Sequence, residues 1–140
     1  MKNIFVDSDI ILDLLLDREP FFTPSAELFN LIEAKKVHAS VSALHFSNLF
    51  YILRKVKGSE AAKSVLRKLK ILVKILPVNE KVIELALESD FSDFEDAIQY
   101  YACLDNNIDV IVTRNKNDFK SGKLPVMTAL EVLAVLKLKR

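Results

Sequence analysis

Apolar residues fall into two kinds of run along the chain. Ile4-Phe5-Val6 and Val110-Ile111-Val112 are short, β-favouring and free of polar side chains, the pattern of strands buried on both faces. Each stops at a polar cluster, Asp7-Ser8-Asp9 in the first case and Thr113-Arg114-Asn115 in the second. Val37 to Val41, Ile71 to Leu76 and Pro125 to Met127 predict further strands. Between them the apolar period is helical. Ile10 and Leu14 follow the first strand, with Asp9 as the expected helix cap, and Leu28, Leu31 and Ile32 mark a helix opened by Thr23-Pro24. Leu44, Leu49, Ile52, Leu53 and Val56 define a helix capped by Ser42 and ended by Gly58. Ser59 is the expected cap of the next, whose Ala62, Val65, Leu66 and Leu69 point inward. Asn79 should cap a helix carrying Val82, Ile83, Leu85, Ala86 and Leu87. Ser92 with Glu95, and Thr128 with Glu131, have the spacing of capping boxes.

Strands alternating with helices predict a three-layer α/β/α domain with a mostly parallel central sheet of four or five strands. Residues 1–140 fit a single such domain, long enough to bury a core without disulfides or structural metal. Composition narrows the function classes. Cys103 is the one cysteine, which excludes an internal disulfide or a cysteine zinc site and leaves a buried thiol as its expected role. The two glycines, Gly58 and Gly122, exclude P-loop and dinucleotide fingerprints. No apolar run reaches the roughly 20 residues that span a bilayer, and no signal pattern opens the chain, so a cytoplasmic protein without membrane contact is expected.

The net charge of +1 conceals segregation. Arg54 to Lys74 is basic, including Arg54, Lys55, Lys57, Lys63 and Arg67, whereas Glu80 to Asp96 is acidic. Such a distribution presents a phosphate-binding flank beside a metal pocket, although solvated helix faces of opposite sign would read the same way. In a parallel sheet the polar clusters at Asp7, at Ser42 to Asn48 and at Thr113 to Asp118 converge on the carboxyl edge, where such folds bind ligands. Asp93 and Asp96 share a helix face. Asp96 stands on the expected inner side, where a lone carboxylate needs a partner or a cation. A hard cation held by Asp7, Asp96 and Asp118 accounts for all three. His38 and His45, with no partner at ligand spacing, read as surface or packed histidines.

Four segments together resemble the PIN domain family: Phe5-Val6-Asp7-Ser8-Asp9-Ile10, Val41-Ser42-Ala43-Leu44 with Asn48, Asp93-Phe94-Glu95-Asp96-Ala97-Ile98-Gln99, and Val112-Thr113-Arg114-Asn115 with Asp118-Phe119. The resemblance implies a metal-dependent endoribonuclease that hydrolyses RNA phosphodiester bonds with Mg²⁺ or Mn²⁺, many members being VapC-type toxins of toxin–antitoxin modules. It makes Asp7, Asp96 and Asp118 the catalytic, metal-holding acids. Ser8 and Thr113 become orienting hydroxyls, and Asp9, Asn48, Asp93, Glu95 and Asn115 supporting residues. It also implies an RNA substrate and an antitoxin partner, with Arg114, Arg54 and Lys55 as RNA-contacting cations; a homodimer is expected as well, since the helix faces of Phe46 with Phe50 and of Tyr100 with Leu104 suit a core or a dimer interface. Two positions depart from the family pattern. Asn48 stands where an acid is usual, and Asp9 where Asn is usual, so Asp9 either caps the helix or restores the missing charge.

Other readings compete. Asp7-Ser8-Asp9 after an apolar strand also resembles the haloacid dehalogenase phosphatases, but Ile11 stands where they carry Thr and no later pair of adjacent aspartates follows. A receiver-type domain fails because the strand ending at Leu76 runs into Pro77 rather than an Asp. The serious alternative, resting on Asn48, is a catalytically weak or inactive PIN-like module that binds RNA or protein.

Overall fold

A computed structural model describes residues 1–138. In chain order it contains β1 (Asn3–Val6), α1 (Ser8–Leu15), α2 (Phe22–Glu33), β2 (His38–Ser42), α3 (Ala43–Lys57), α4 (Ser59–Leu72), β3 (Val73–Leu76), α5 (Glu80–Leu87), α6 (Phe94–Asp105), β4 (Val110–Val112), a 3₁₀ turn at Lys116–Phe119, β5 (Val126–Met127) and α7 (Ala129–Leu138). The strands form one sheet in the order β3-β2-β1-β4-β5, and every pairing is parallel rather than mostly so. β1 lies at the centre, with Phe5 opposite Ser40 on one side and Ile111 on the other.

That placement explains why Ile4 to Val6 of β1 and all of β4 are apolar. Ile4, Val6, Val110 and Val112 enter a core with Ile10, Leu28, Leu49, Leu66 and Val132, so α1, α2, α3, α4 and α7 cover one face. Phe5 and Ile111, pointing oppositely by strand alternation, meet Tyr100 and Cys103 of α6. α5 packs on α6 through Val82, Ala86, Ile98 and Ala102. Cys103 is fully buried, as a structural thiol should be.

Several element ends differ from expectation by one or two residues. Asp7, not Asp9, caps α1 and accepts from the Ser8 amide. Helix α2 starts at Phe22, which places Thr23 and Pro24 inside its first turn. Gly58, at φ 85°, both ends α3 and precedes α4, so Ser59 is the first helical residue rather than a cap. α4 extends to Leu72 and β3 begins only at Val73. Asp93 caps α6 through the Asp96 amide, displacing the expected Ser92 box. Ser42, Asn79 and the Thr128–Glu131 box cap as read from the sequence. For α1 and α6 a neighbouring aspartate supplies the cap, whereas α2 and α4 begin with no side-chain cap, so local composition marks the end but not its residue.

After β1 the chain builds outward through β2 and β3, then returns to add β4 and β5 on the opposite side. The carboxyl ends of β1 and β4 therefore flank the point where the topology reverses. Loops diverge there and leave a crevice.

Candidate metal centre

Asp7 leaves β1 at that point. Its amide donates to the Val112 carbonyl at 2.9 Å, which extends the ladder one residue and sets Asp7 beside Thr113. The Thr113 hydroxyl, fully buried, donates to Asp7 Oδ2 at 2.8 Å, and the Ser8 amide donates to Oδ1 at 2.8 Å. Asp9 lies in the first turn of α1 and faces the segment after β4. Its Oδ2 accepts from the Arg114 amide at 3.3 Å and from Asn115 Nδ2 at 3.1 Å. Asp9 thus anchors the β4 exit, a role that neither the helix-cap nor the charge-replacement reading anticipates.

Asp7 and Asp9 line a cleft of about 420 Å³ together with Asp93, Glu95 and Asp96 from the start of α6, Asn115, Asn117, Asp118 and Lys120 from the loop after β4, and Ser8, Ser92 and His45. Asp7, Asp96 and Asp118, separated along the chain, share one wall-to-wall space. Tyr100 and Gly122 help to hold the last of them. The Lys123 amide donates to the Tyr100 hydroxyl at 2.7 Å, and Gly122 lies so close to the Tyr100 ring that a Cβ would overlap it. The turn bearing Asp118 is thereby tied to the helix bearing Asp96.

The electrostatics follow from crowding. Burial raises the Asp7 carboxyl above its usual range despite the Thr113 and Ser8 donors, and Asp118 adds to the rise. Burial, then Asp7, pushes Asp9 up to about 6. Burial, then Asp93, Asp118, Asp7 and Glu95, pushes Asp96 up to about 7. Such a set repels itself unless protons or a cation intervene. Its oxygen donors suit a hard divalent ion, and Asp9 Oδ1 is buried with no hydrogen-bond partner, so the residues present fit a cation. Among the described residues, no group of three or more His, Cys, Asp or Glu side chains stands ready to hold a metal ion, so binding requires these side chains to draw together.

The remaining expected residues lie elsewhere. Asn48 is half-buried on α3 and does not line the cleft. Arg114 points its guanidinium at Asp13, with Nε 2.8 Å from Oδ2 and Nη2 3.1 Å from Oδ1, and stacks 4.1 Å from the centre of the Phe21 ring. It lines a separate hollow with Ile10, Ser25 and Leu130. Arg54 and Lys55 are exposed near the far end of α3, on the order of 15 Å along the helix from its start. Arg54 stacks on Tyr51 at 5.5 Å.

Two cleft residues escape the sequence reading. Lys120 sits two residues beyond Asp118. His45, buried with 6% exposure, comes three residues after the cap Ser42, where a helix starting at the carboxyl edge faces the ligand crevice. That spacing was the available signal. Burial lowers the imidazole to about 4, with Glu95 opposing, so at neutral pH the 3.6 Å approach of Nδ1 to Asp7 Oδ1 is not an ion pair.

Sequence and structure comparisons agree with this architecture. Over 135 residues the chain is 25% identical to Ribonuclease VapC1 of Aquifex aeolicus (strain VF5), an alignment covering 93% of this chain and 92% of that protein. Its fold is similar to the DNA-bound VapBC structure from Salmonella typhimurium, with a TM-score of 0.69, 15% identity, and coverage of 92% of this chain and 99% of that one. The VapBC-1 structure from nontypeable Haemophilus influenzae matches with a TM-score of 0.67 at 15% identity, over 91% of this chain and 98% of that one. A sequence model of the PIN domain matches residues 3–117, from β1 into the turn that carries Asp118, and the chain accordingly belongs to the PIN domain family.

Proposed function

We propose that the protein is a divalent-metal-dependent endoribonuclease, the toxin of a toxin–antitoxin pair. The observation that carries the reading is the convergence of Asp7, Asp96 and Asp118 on one cleft, where crowding and burial push the Asp7 and Asp96 carboxyls upward. The similarity to Ribonuclease VapC1 supports RNA as the substrate, and the VapBC neighbours support an antitoxin partner.

In this reading Asp7, Asp96 and Asp118 hold Mg²⁺ or Mn²⁺. The bound ion supplies activation of water and stabilisation of charge at the attacked phosphate. Thr113 and the Ser8 amide fix both oxygens of Asp7, so its orientation is set in advance. Asp9 holds Asn115 and the β4 exit, and Asp93 holds the first turn of α6 under Asp96. Lys120 offers a cation to a phosphate at the rim of the cleft. The exposed basic residues of α3 and α4, Arg54 and Lys55 among them, extend that attraction to flanking phosphates, an effect that weakens as salt rises. Exposed Tyr51, Ile52 and Val56 on α3 and Ile71 on α4 favour a homodimer.

Cleavage of a labelled RNA by the purified protein, with Mg²⁺ or Mn²⁺ and with chelator, tests the proposal. Cleavage that requires the ion and is lost in Asp7→Asn is expected. Equal activity of the two proteins, or none with any ion, returns the chain to the class of binding modules.

A further inference from the structure

We infer that His45 is a nitrogen ligand of the bound divalent ion, contributed by α3, so that the donor set mixes imidazole with carboxylate. The inference rests on the proposed ion site and concerns a residue that the carboxylate reading leaves out.

The His45 side chain is 8% exposed, and its Nδ1 has no hydrogen-bond partner. A buried imidazole nitrogen in that condition calls for an occupant. Nδ1 lies 3.6 Å from Asp7 Oδ1, too far for a hydrogen bond between them. Two donors each about 2.1 Å from one ion stand about 3 Å apart at a right angle and about 4.2 Å apart when opposite, so this separation lies within the span that shared ligation allows. The ring is also held in place. Its backbone amide donates to Ser42 Oγ at 3.1 Å, and its ring centre is 6.2 Å from that of the fully buried Phe5.

The position on α3 strengthens the assignment. Asn48, the residue of this helix that the family pattern marks, does not line the cleft and adds no charge. His45, three residues earlier and one turn nearer the strand end, does line it. An imidazole ligand shifts ion preference, because Mg²⁺ keeps an oxygen shell and gives up its waters reluctantly, whereas Mn²⁺, a first-row transition ion, tolerates a nitrogen donor among oxygens and Zn²⁺ favours one. Binding should therefore be tighter for Mn²⁺ than for Mg²⁺.

The test uses the full chain loaded with Mn²⁺ and pulsed electron paramagnetic resonance to detect nitrogen coupled to the ion. His38, the other histidine, is exposed at the opposite strand end, so His38→Gln leaves one histidine to label with ¹⁵N. A ¹⁵N-histidine coupling in that protein is expected, together with its loss and Mn²⁺ affinity weakened by about 10- to 100-fold in His45→Gln. Mn²⁺ that binds and is released by Asp7→Asn, yet shows no histidine coupling, overturns the role of His45 and leaves the carboxylate site standing. Failure to bind Mn²⁺ at all overturns both. If His45→Gln does not fold, the labelled His38→Gln protein decides the question alone.

Discussion

Asp7 and Asp13 begin and nearly end the same short helix, and both are buried, yet their surroundings are opposite. Asp13 is fully buried and meets the Arg114 guanidinium in a bidentate pair, closed over by Phe21. Asp7 receives a hydroxyl and an amide, both neutral, and faces Asp9, Asp96 and Asp118. A buried carboxylate neutralised by the protein's own cation is structural. One left facing other carboxylates has room for an external cation, and its cost in the empty protein is offset when that cation binds. Arg114 joins the two regions. Its side chain secures α1 while its amide reaches Asp9, so the structural pair holds the floor of the cleft.

The largest expected effect separates the two aspartates by chemistry. Asp7→Asn should lower RNA cleavage by more than about 100-fold and remove the rise in Tm produced by Mn²⁺, while leaving the metal-free Tm unchanged or higher. A variant that retains near-normal cleavage would break the comparison at its centre. Arg114→Ala strands Asp13 as an unpaired buried charge and should reduce unfolding free energy by on the order of 3 kcal/mol in urea titration. Undiminished stability with weakened RNA affinity would return Arg114 to the phosphate-contacting role expected from the sequence. Gly122→Ala, which forces the Tyr100 ring to move, should cost about 1–3 kcal/mol and impair cleavage through Asp118 more than through substrate affinity.

A smaller effect comes from pH. Asp9 at about 6 and Asp96 at about 7 are raised above their ordinary 3.8, so between those values the folded protein binds more protons than the unfolded chain. Metal-free stability contributed by these groups is therefore lost as pH rises through that window. His45, lowered to about 4, contributes in the opposite direction between there and 6.5. Asp96→Asn should thus gain Tm over the native chain as pH rises from about 5 to about 8 without metal, and Mn²⁺ should erase the gain. The smallest effect is expected for Asn48→Glu. Because Asn48 is outside the cleft, restoring the usual acid should change cleavage by less than about threefold, and a large increase would show that α3 repositions during catalysis.

How much of this was legible depends on the range of the interaction. The buried strands Ile4–Val6 and Val110–Val112 follow from uninterrupted apolar runs, and the caps at Ser42, Asn79 and Thr128 from residues a few positions apart. Asp7, Asp96 and Asp118 could be assembled because each stands just after a recognisable element boundary. Arg114 could not be assigned, since its partner Asp13 is 101 residues away and looks, in sequence, like one more acid in an apolar helix. Likewise His45 and His38 are equivalent as letters. Only the parallel sheet puts one in the cleft and the other at the far edge.

By itself, then, the sequence determined the alternation of strands and helices, the strand-end position of Asp7 and the ordered motifs of the PIN domain, all products of local periodicity and short-range chemistry. Which charges are neutralised was decided in three dimensions. A carboxylate's protonation, its partner and its readiness for a cation depend on burial and on neighbours brought together across the whole chain: those of Asp7 and Asp13 meet only when β4 folds in beside β1, and His45 meets Asp7 only when β2 does.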